Sequence, residues 1–277
     1  MEQQHVLSGS VRAAVFTHYE RAMAFMVANF PLVPVTPVAY PKGLDQDARY
    51  EAPVHSPPPP YVTTVKLSEA HEHRRYPALD ENAIRWYIED RDAVDFCSWT
   101  PSVRNPERVG FGRVILSPRG GATHEEVGQA MLAVRGVLSD SGIEAIPVLD
   151  GFAGGALFIP FNDEPDYAKV RAWLHEVAET AVSRNENLLT TDPHDQQTQR
   201  VHVNVGSNAV GRYSSLPYAL IASPNLGMVT PIEWGELNTV ANGFYTAANS
   251  AERLARGDIF GTATSMLIDQ SFGDGPH

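Results

Sequence analysis

Apolar residues recur at helical spacing in four long segments of the chain. The first runs from Val11 to Phe30, and Pro31 closes it because proline cannot continue a helix. The second begins after Asp80, a helix-capping residue type, and runs to Asp90. The third extends from Thr123 to Gly142 and the fourth from Asp166 to Arg184. We therefore predict four amphipathic helices, and a further short helix that begins at Pro231.

Short stretches rich in β-branched and aromatic residues lie between these segments and predict strands. The predicted strands are Val33–Ala39, Tyr61–Leu67, Ala93–Trp99, Val109–Leu116, Ala145–Leu149, Leu157–Phe161, Val201–Val205 and Tyr213–Leu220. The first two flank the extended run Pro57–Pro60, and we expect them to form a small hairpin-like sheet. Strands joined partly as hairpins and partly through helices predict an α+β (mixed α/β) fold, with a central mixed sheet flanked by helices and a smaller N-terminal sheet region.

The composition is that of an ordinary folded protein. With 277 residues and 43% hydrophobic content, the chain can bury a full core, and we predict one domain, 1–277, with 1–108 and 109–277 as its subdomains and a disordered tail at 274–277. The single cysteine, Cys97, excludes an internal disulfide and suggests a cytoplasmic protein. Prolines interrupt the most apolar stretch, Met23–Tyr40, so no membrane span is expected.

The net charge weighs against strong nucleic-acid binding. The chain has 33 acidic and 21 basic residues, a formal charge of −12, and its basic residues are scattered in pairs such as Arg74-Arg75 and Arg113 with Arg119. Affinity for nucleic acid comes largely from basic side chains that neutralise phosphates. Any such binding must therefore use a few locally placed cations.

Several sequence blocks follow one another in an order that is typical of a known family. They are Tyr40-Pro41-Lys42-Gly43, Asp95-Phe96-Cys97-Ser98-Trp99, Val114-Ile115-Leu116-Ser117-Pro118, Asp150-Gly151-Phe152-Ala153-Gly154, Val203-Asn204-Val205, Leu216-Pro217-Tyr218 and Thr230–Leu237. In this order the blocks resemble the polymerase domain of bacterial ligase D, a primase-like polymerase of non-homologous end joining. The resemblance covers nearly the whole chain and implies a primase-polymerase-like fold.

The resemblance also shows which functional positions are altered. The family's metal-binding aspartates match Ile115, Ser117 and Asn204, while its phosphate-binding lysine and histidine match Ala153 and Ala156. The family uses Mn²⁺ or Mg²⁺, which prefer anionic oxygen ligands. No catalytic residue of the family is intact, so we predict no metal cofactor and an inactive pseudo-polymerase with a binding or structural role.

Two readings of the remaining polar residues stay open. Arg12, Lys42 and Arg212 match a groove where the family binds a DNA 5′-phosphate, so DNA ends are candidate partners, as are DNA-repair proteins. The alternative is an active nucleotidyltransferase whose metal ligands have moved to Asp150, His202 and Asn204. The plainer interpretation is that Asp150 caps the Gly151 turn and that His202 is a partly buried strand residue.

Overall fold

The fold is described by a computed structural model, which covers residues 7–54, 56–69, 72–195 and 199–272. The helices are α1 (Gly9–Asn29), α2 (Glu81–Arg91), α3 (His124–Asp140), α4 (Tyr167–Arg184), α5 (Ser250–Leu254) and α6 (Ile259–Met266). The strands are β1 (Thr36–Ala39), β2 (Arg49–Tyr50), β3 (Thr64–Glu69), β4 (Glu72–Pro77), β5 (Ala93–Ser98), β6 (Phe111–Arg119), β7 (Ile146–Leu149), β8 (Gly155–Pro160), β9 (Leu189–Thr190), β10 (Arg200–Asn204), β11 (Ser214–Ser215) and β12 (Thr230–Pro231).

Three sheets are formed by these strands. Within the described residues, the larger sheet has the order β12-β7-β8-β6-β10-β9, and its pairs are antiparallel except for the parallel pair β10–β9. A smaller sheet has the order β11-β5-β1-β2, and β3 pairs with β4 as a separate hairpin. The predicted α+β (mixed α/β) fold with a central mixed sheet is confirmed. The smaller sheet is not purely N-terminal, because β11 comes from the second half of the chain.

The predicted helix starts are confirmed by their capping contacts. The Asp80 side chain accepts a 2.7 Å hydrogen bond from the backbone N–H of Ala83. Thr123 and Glu126 form a reciprocal capping box, in which Glu126 accepts from the Thr123 N–H at 2.6 Å. Asp166 accepts from the Ala168 N–H at 2.8 Å. Each cap satisfies a backbone donor that the first helical turn leaves unpaired.

The two faces of the larger sheet belong to different apolar cores. Helices α3 and α4 cover one face, where Val114 and Leu116 of β6 are fully buried. The other face contributes Val148 and Phe158 to a second core that also contains α1, α2 and α6. This second core draws residues from both sides of the predicted boundary at 108/109. None of the helices in the described part of the chain is long and apolar enough to cross a membrane.

Three sequence-based predictions of elements were wrong. The segment Val33–Ala39 does not pair with Tyr61–Leu67, because β1 lies between β2 and β5 while β3 pairs with β4, which follows it directly in the chain. The strand predicted at Tyr213–Leu220 is limited to Ser214–Ser215, since Pro217 lacks an N–H and Tyr218 has a φ of 70°.

The third error concerns Pro231. It does not begin a helix but lies in β12 at the edge of the larger sheet, a place where a strand tolerates the missing N–H. The helical turn comes later, at Trp234–Glu236. The tail predicted to be disordered, 274–277, lies outside the described residues.

Candidate functional site

Four positions that the resemblance relates to the family's metal-binding and phosphate-binding residues lie together on the larger sheet. Ile115 of β6 is directly opposite Asn204 on β10 and opposite Ala156 on β8. Directly opposed residues of antiparallel strands point to the same face, so these three side chains form one row across the sheet. Ser117, two residues further along β6, faces His202 on β10. We call these three residues, together with Ser117 on the same face of β6, the central row.

The central row contains no carboxylate or other anionic group that could bind a metal ion. Ile115 and Ala156 are half-buried and apolar, and Asn204 is exposed at the open end of the row. The amide oxygen of Asn204 accepts a 2.8 Å hydrogen bond from the N–H of Gly206. Besides this oxygen, only the neutral hydroxyl of Ser117 remains as a donor atom. This donor set does not fit a pair of Mg²⁺ or Mn²⁺ ions, which need carboxylates to balance their charge.

Asp150 is held by the backbone of its own turn. Its Oδ1 accepts from the N–H groups of Phe152 and Ala153 at 2.8 and 3.0 Å, and its Oδ2 accepts from the N–H of Gly154 at 2.9 Å. Burial raises the pKa of Asp150, while these three hydrogen bonds oppose the rise. The segment is thus a capped turn between β7 and β8, with Ala153 offering only a methyl group where the family has a lysine.

The three candidate ligands of the relocated-metal alternative come from two separate parts of the larger sheet. The Asp150 turn joins β7 and β8, whereas His202 and Asn204 lie on β10, so roughly 10 Å of sheet separates them. In the described residues, no group of three His, Cys, Asp or Glu side chains could hold a metal ion. His202 is a buried strand residue with 6% exposure, and burial is the main cause that lowers its pKa. The contacts of Asp150 are those of a capped turn, and His202 lies in a strand.

Gly151 and Gly154 lie where the neighbouring backbone leaves no room for a side chain. Gly151 has a φ of +83°, a conformation that favours glycine, and a Cβ there would lie 2.9 Å from the carbonyl oxygen of Met228. A Cβ at Gly154 would overlap the carbonyl oxygen of Leu116, and one at Gly227 would overlap that of Gly151. These glycines are required by backbone packing whether or not a phosphate binds.

The three candidate phosphate-binding cations are not clustered. Arg12 is engaged with the end of α2, where its Nη2 donates to the carbonyl of Glu89 at 2.6 Å and its Nε lies 3.3 Å from the Asp92 carboxylate. Lys42 follows β1 near Asp92, whose carbonyl accepts from the N–H of Tyr40. Arg212 precedes β11, which pairs with the opposite end of β5, roughly 20 Å away along the strand. The arrangement favours separate contacts over one phosphate held by all three.

Arg113 is an important residue that the sequence did not single out. It lies on β6 on the face of Ile115 and is fully buried. Its Nη1 donates to the carbonyl of Ser98 at 2.7 Å, and its Nη2 donates to the carbonyls of Ser207 and Arg212 at 3.0 and 2.8 Å. Asn208 holds the backbone of Arg113 through both its N–H and its carbonyl. The sequence contained one signal of this role: a basic residue in an otherwise apolar strand must find hydrogen-bond acceptors inside the protein.

Asp95, Ser215 and Cys97 form a second buried polar cluster, close to the Arg113 guanidinium. Its Oδ2 accepts from the Ser215 hydroxyl at 2.6 Å and from the Cys97 thiol at 3.4 Å. Burial raises the pKa of Asp95 to about 6 and raises that of Cys97 well above its usual range. Cys97 is therefore a buried thiol.

Comparisons of the sequence with protein families and with individual proteins point to the same family. The family described as the LigD primase-polymerase domain matches residues 12–260. The multifunctional non-homologous end joining DNA repair protein LigD of Mycobacterium tuberculosis is 23% identical over 264 residues, 91% of this chain and 34% of that protein. The non-homologous end joining protein LigD of Mycolicibacterium smegmatis is 20% identical over 235 residues, 83% of this chain and 31% of that protein. The chain thus spans about a third of the length of these relatives.

The structural comparison agrees. The polymerase domain of Mycobacterium tuberculosis ligase D, solved in complex with DNA, matches with a TM-score of 0.84 and 19% identity, over 98% of both chains. At this identity the likeness concerns the fold. The family match over most of the chain carries the assignment: the chain belongs to the LigD primase-polymerase domain family.

Proposed function

We propose that this chain is a catalytically inactive LigD primase-polymerase domain that acts as a binding module at DNA breaks. The observation that carries the proposal is the central row, in which Ile115, Ala156 and Asn204 face one another without a carboxylate. Two-metal nucleotidyl transfer needs anions that hold the cations which stabilise the attacking and leaving oxygens. With Ile115 in the middle of the row, that requirement is not met, so no catalytic step is assigned to it.

A primer-extension assay with Mn²⁺ or Mg²⁺ tests the inactivity. We expect no incorporation of nucleotides on a primer–template duplex, and no rise of the melting temperature with Mn²⁺ and nucleotide, because a ligand stabilises only the state that it binds. Ser117→Ala and Asn204→Ala are the matched variants, since they remove the remaining donor atoms of the row. Extension that the wild type shows and these variants lose would overturn the proposal.

The binding role is proposed to use a few exposed cations. Lys42 and Arg212 are exposed, and no ion pair of either is found within the described residues. Their separation fits contacts to different phosphates of a duplex end. The homologous polymerase domain from Mycobacterium tuberculosis was solved with DNA, which supports a DNA end as the partner. With a chain charge of −12, binding should be weak and should fall steeply with salt.

Fluorescence anisotropy with a labelled duplex that carries a recessed 5′-phosphate tests this role. Lys42→Ala combined with Arg212→Ala should weaken binding at about 50 mM salt by roughly tenfold, because two phosphate contacts are lost. The double variant should also show a smaller dependence of affinity on salt. Lys169→Ala, at an exposed position of α4, is the matched control and should bind like the wild type. Equal affinity of the double variant and the control would reject the DNA contacts while leaving the inactivity intact.

A further inference from the structure

Four consecutive prolines and a tyrosine, residues 57–61, lie on the surface between β2 and β3, and we call them the proline segment. Pro57, Pro58 and Pro59 are each followed by another proline, which restricts ψ to extended values, while their own rings hold φ at about −65°. These two restrictions together define a polyproline II helix. The three residues lie in neither a helix nor a strand, as that conformation requires.

The exposure of the segment follows the period of this helix. A polyproline II helix has about three residues per turn, so Pro57 and Pro60 share one edge. These two prolines are exposed, whereas the two between them are half-buried. Tyr61 follows directly and is 57% exposed. The segment therefore presents one edge of prolines and an aromatic ring to solvent.

The end of the segment is held by hydrogen bonds to the rest of the fold. The N–H of Val62 donates to the carbonyl of Pro59 at 2.9 Å, and the side-chain amide of Asn82 donates to the carbonyl of Tyr61 at 3.3 Å. Within the described residues, no group donates to the carbonyls of Pro57, Pro58 or Pro60. The exposed edge is thus fixed in shape and keeps acceptors that a partner could use.

The neighbouring hairpin adds positive charge to this surface. Lys66 of β3 is directly opposite Arg75 of β4, so their side chains lie on the same face of the hairpin. Both residues are exposed, and neither forms an ion pair with a side chain that the structure describes. A surface groove of about 380 Å³ is lined by Arg75 and Thr64 of the hairpin together with the four prolines. The cations therefore lie beside the proline segment.

This combination selects one kind of partner. Polyproline II helices dock in grooves lined by aromatic side chains, and they lose little conformational entropy because the helix is already formed. Lys66 and Arg75 favour acidic residues at the rim of such a groove, since opposite charges face each other across a specific interface. A nucleic acid would meet the two cations but would leave the proline edge unused. The prolines thus point to a protein.

We propose that the proline segment is the docking ligand for a partner protein whose groove is lined by aromatic rings and rimmed by acidic side chains. Pro57 and Pro60 pack against the rings, and Lys66 and Arg75 face the acidic rim. The proposal does not depend on the proposed function, because none of these residues belongs to the central row or to the cations Lys42 and Arg212.

Isothermal titration of the whole chain with an SH3 domain that has acidic residues beside its aromatic groove tests the docking. We expect saturable binding with a Kd at or below about 1 mM. The same SH3 domain with one groove aromatic residue replaced by alanine should not bind. Pro57→Ala combined with Pro60→Ala should weaken binding by about tenfold or more, because it removes both rings of the exposed edge. Pro193→Ala changes an exposed proline elsewhere and is the matched control.

The cations give a second test that leaves the prolines intact. Lys66→Ala combined with Arg75→Ala should weaken binding several-fold and reduce its dependence on salt, because the charges facing the acidic rim are lost. Lys169→Ala combined with Arg171→Ala removes equal charge from exposed positions of α4 and should bind like the wild type. Thermal melting of each variant confirms that it is folded.

Three results would overturn the proposal. The first is no saturable binding up to about 1 mM SH3 domain. The second is equal affinity of the Pro57→Ala and Pro60→Ala double variant and the Pro193→Ala control. The third is binding of duplex DNA, in place of the SH3 domain, that is lost with Lys66 and Arg75, since it would assign this surface to nucleic acid.

Discussion

The guanidinium of Arg113 in the larger sheet donates a 2.7 Å hydrogen bond to the carbonyl oxygen of Ser98, the last residue of β5 in the smaller sheet. The same side chain also reaches the Ser214 hydroxyl of β11 and the carbonyls of Ser207 and Arg212. One buried cation therefore joins two sheets and the segment between β10 and β11. It does so without a carboxylate, through three backbone carbonyls and one hydroxyl.

We expect Arg113→Met to lower the free energy of unfolding by at least about 3 kcal/mol, because it leaves several buried carbonyl groups without a donor. Arg113→Lys should recover only a part, since one ammonium cannot match the planar fork of a guanidinium. Urea unfolding followed by circular dichroism measures both. The control is Arg171→Met at an exposed position of α4, which should stay within about 0.5 kcal/mol of the wild type. An Arg113→Met variant as stable as that control would contradict the role.

The central row predicts that metal binding can be introduced. In a variant with Ile115→Asp, Ser117→Asp and Asn204→Asp, three carboxylates would share one sheet face. We expect this variant to be less stable than the wild type without metal and to gain about 2.7 kcal/mol when Mn²⁺ reaches a hundredfold excess over its Kd. Ile115→Asn combined with Ser117→Asn supplies polarity without charge and should show no such gain. A triple variant insensitive to about 10 mM Mn²⁺ would show that the backbone no longer places these positions correctly.

Asp95 predicts an unusual pH dependence. Burial raises its pKa from 3.8 to about 6, so the Asp95 carboxyl binds a proton more tightly in the folded protein than in the unfolded chain. Its contribution to stability is therefore fully present below about pH 4 and is lost as the pH rises through 6, a change on the order of 3 kcal/mol. Asp95→Asn cannot ionise, so it should melt above the wild type at pH 7.5 and close to it at pH 4.

The comparison of wild type and variant isolates this group from others. The phenols of Tyr19 and Tyr40 and the thiol of Cys97 face Asp95, and the Arg113 guanidinium faces Cys97. Burial raises the pKa values of Tyr19 and Cys97 and lowers that of Arg113 to about 10, so none of these three exchanges a proton between pH 4 and 7.5. A melting-temperature difference that is the same at pH 4 and 7.5 would show that Asp95 is not buried as described.

His18 predicts a loss of stability in acid. Its Nε2 donates to the carbonyl of Tyr218 and its Nδ1 accepts from the Ser250 hydroxyl, both at 2.8 Å, and burial lowers its pKa to about 4. The unfolded chain binds a proton near pH 6.5, so this contribution is present above 6.5 and is lost as the pH falls to 4. An NMR titration of the His18 ring should give a pKa below 5. A value near 6.5 would contradict the buried neutral ring.

The glycine contact between Gly151 and Gly227 predicts a large effect from one methyl group. Gly227→Ala should destabilise the fold by about 2 kcal/mol or more, because the new Cβ overlaps a backbone oxygen that cannot move aside cheaply. Gly235→Ala is the matched control, since a Cβ there meets nothing within 4 Å. Thermal melting of both variants checks the prediction, and equal melting temperatures would refute it.

Local sequence signals predicted most of the helices correctly. The caps at Asp80, Thr123 and Asp166 lie where the pattern placed them because capping is decided within a few residues. Strand partners were harder, since β5 pairs with β1 on one side and β11 on the other, and the chain separation of such pairs leaves no local trace. The single-domain prediction remains a prediction.

The site was predictable only in part. The order of the blocks indicated that Ile115 and Asn204 belong to one site, and the strand register places them opposite each other. The engagement of Arg12 with Asp92 and the burial of Arg113 could not be read from the sequence, because both depend on contacts with residues far along the chain. The hydrogen bonds that Asp150 accepts from its own turn agree with the prediction that it caps this turn.

The close approach of Gly227 to the Gly151 turn has a consequence for reading related genomes. Crowded backbone requires glycine at these positions for steric reasons, so their spacing does not depend on the side chains at Ala153 and Ala156. A motif search weighted toward glycine and proline therefore does not distinguish chains that differ in their metal-binding side chains. That distinction needs the side chains at the positions of Ile115, Ser117 and Asn204.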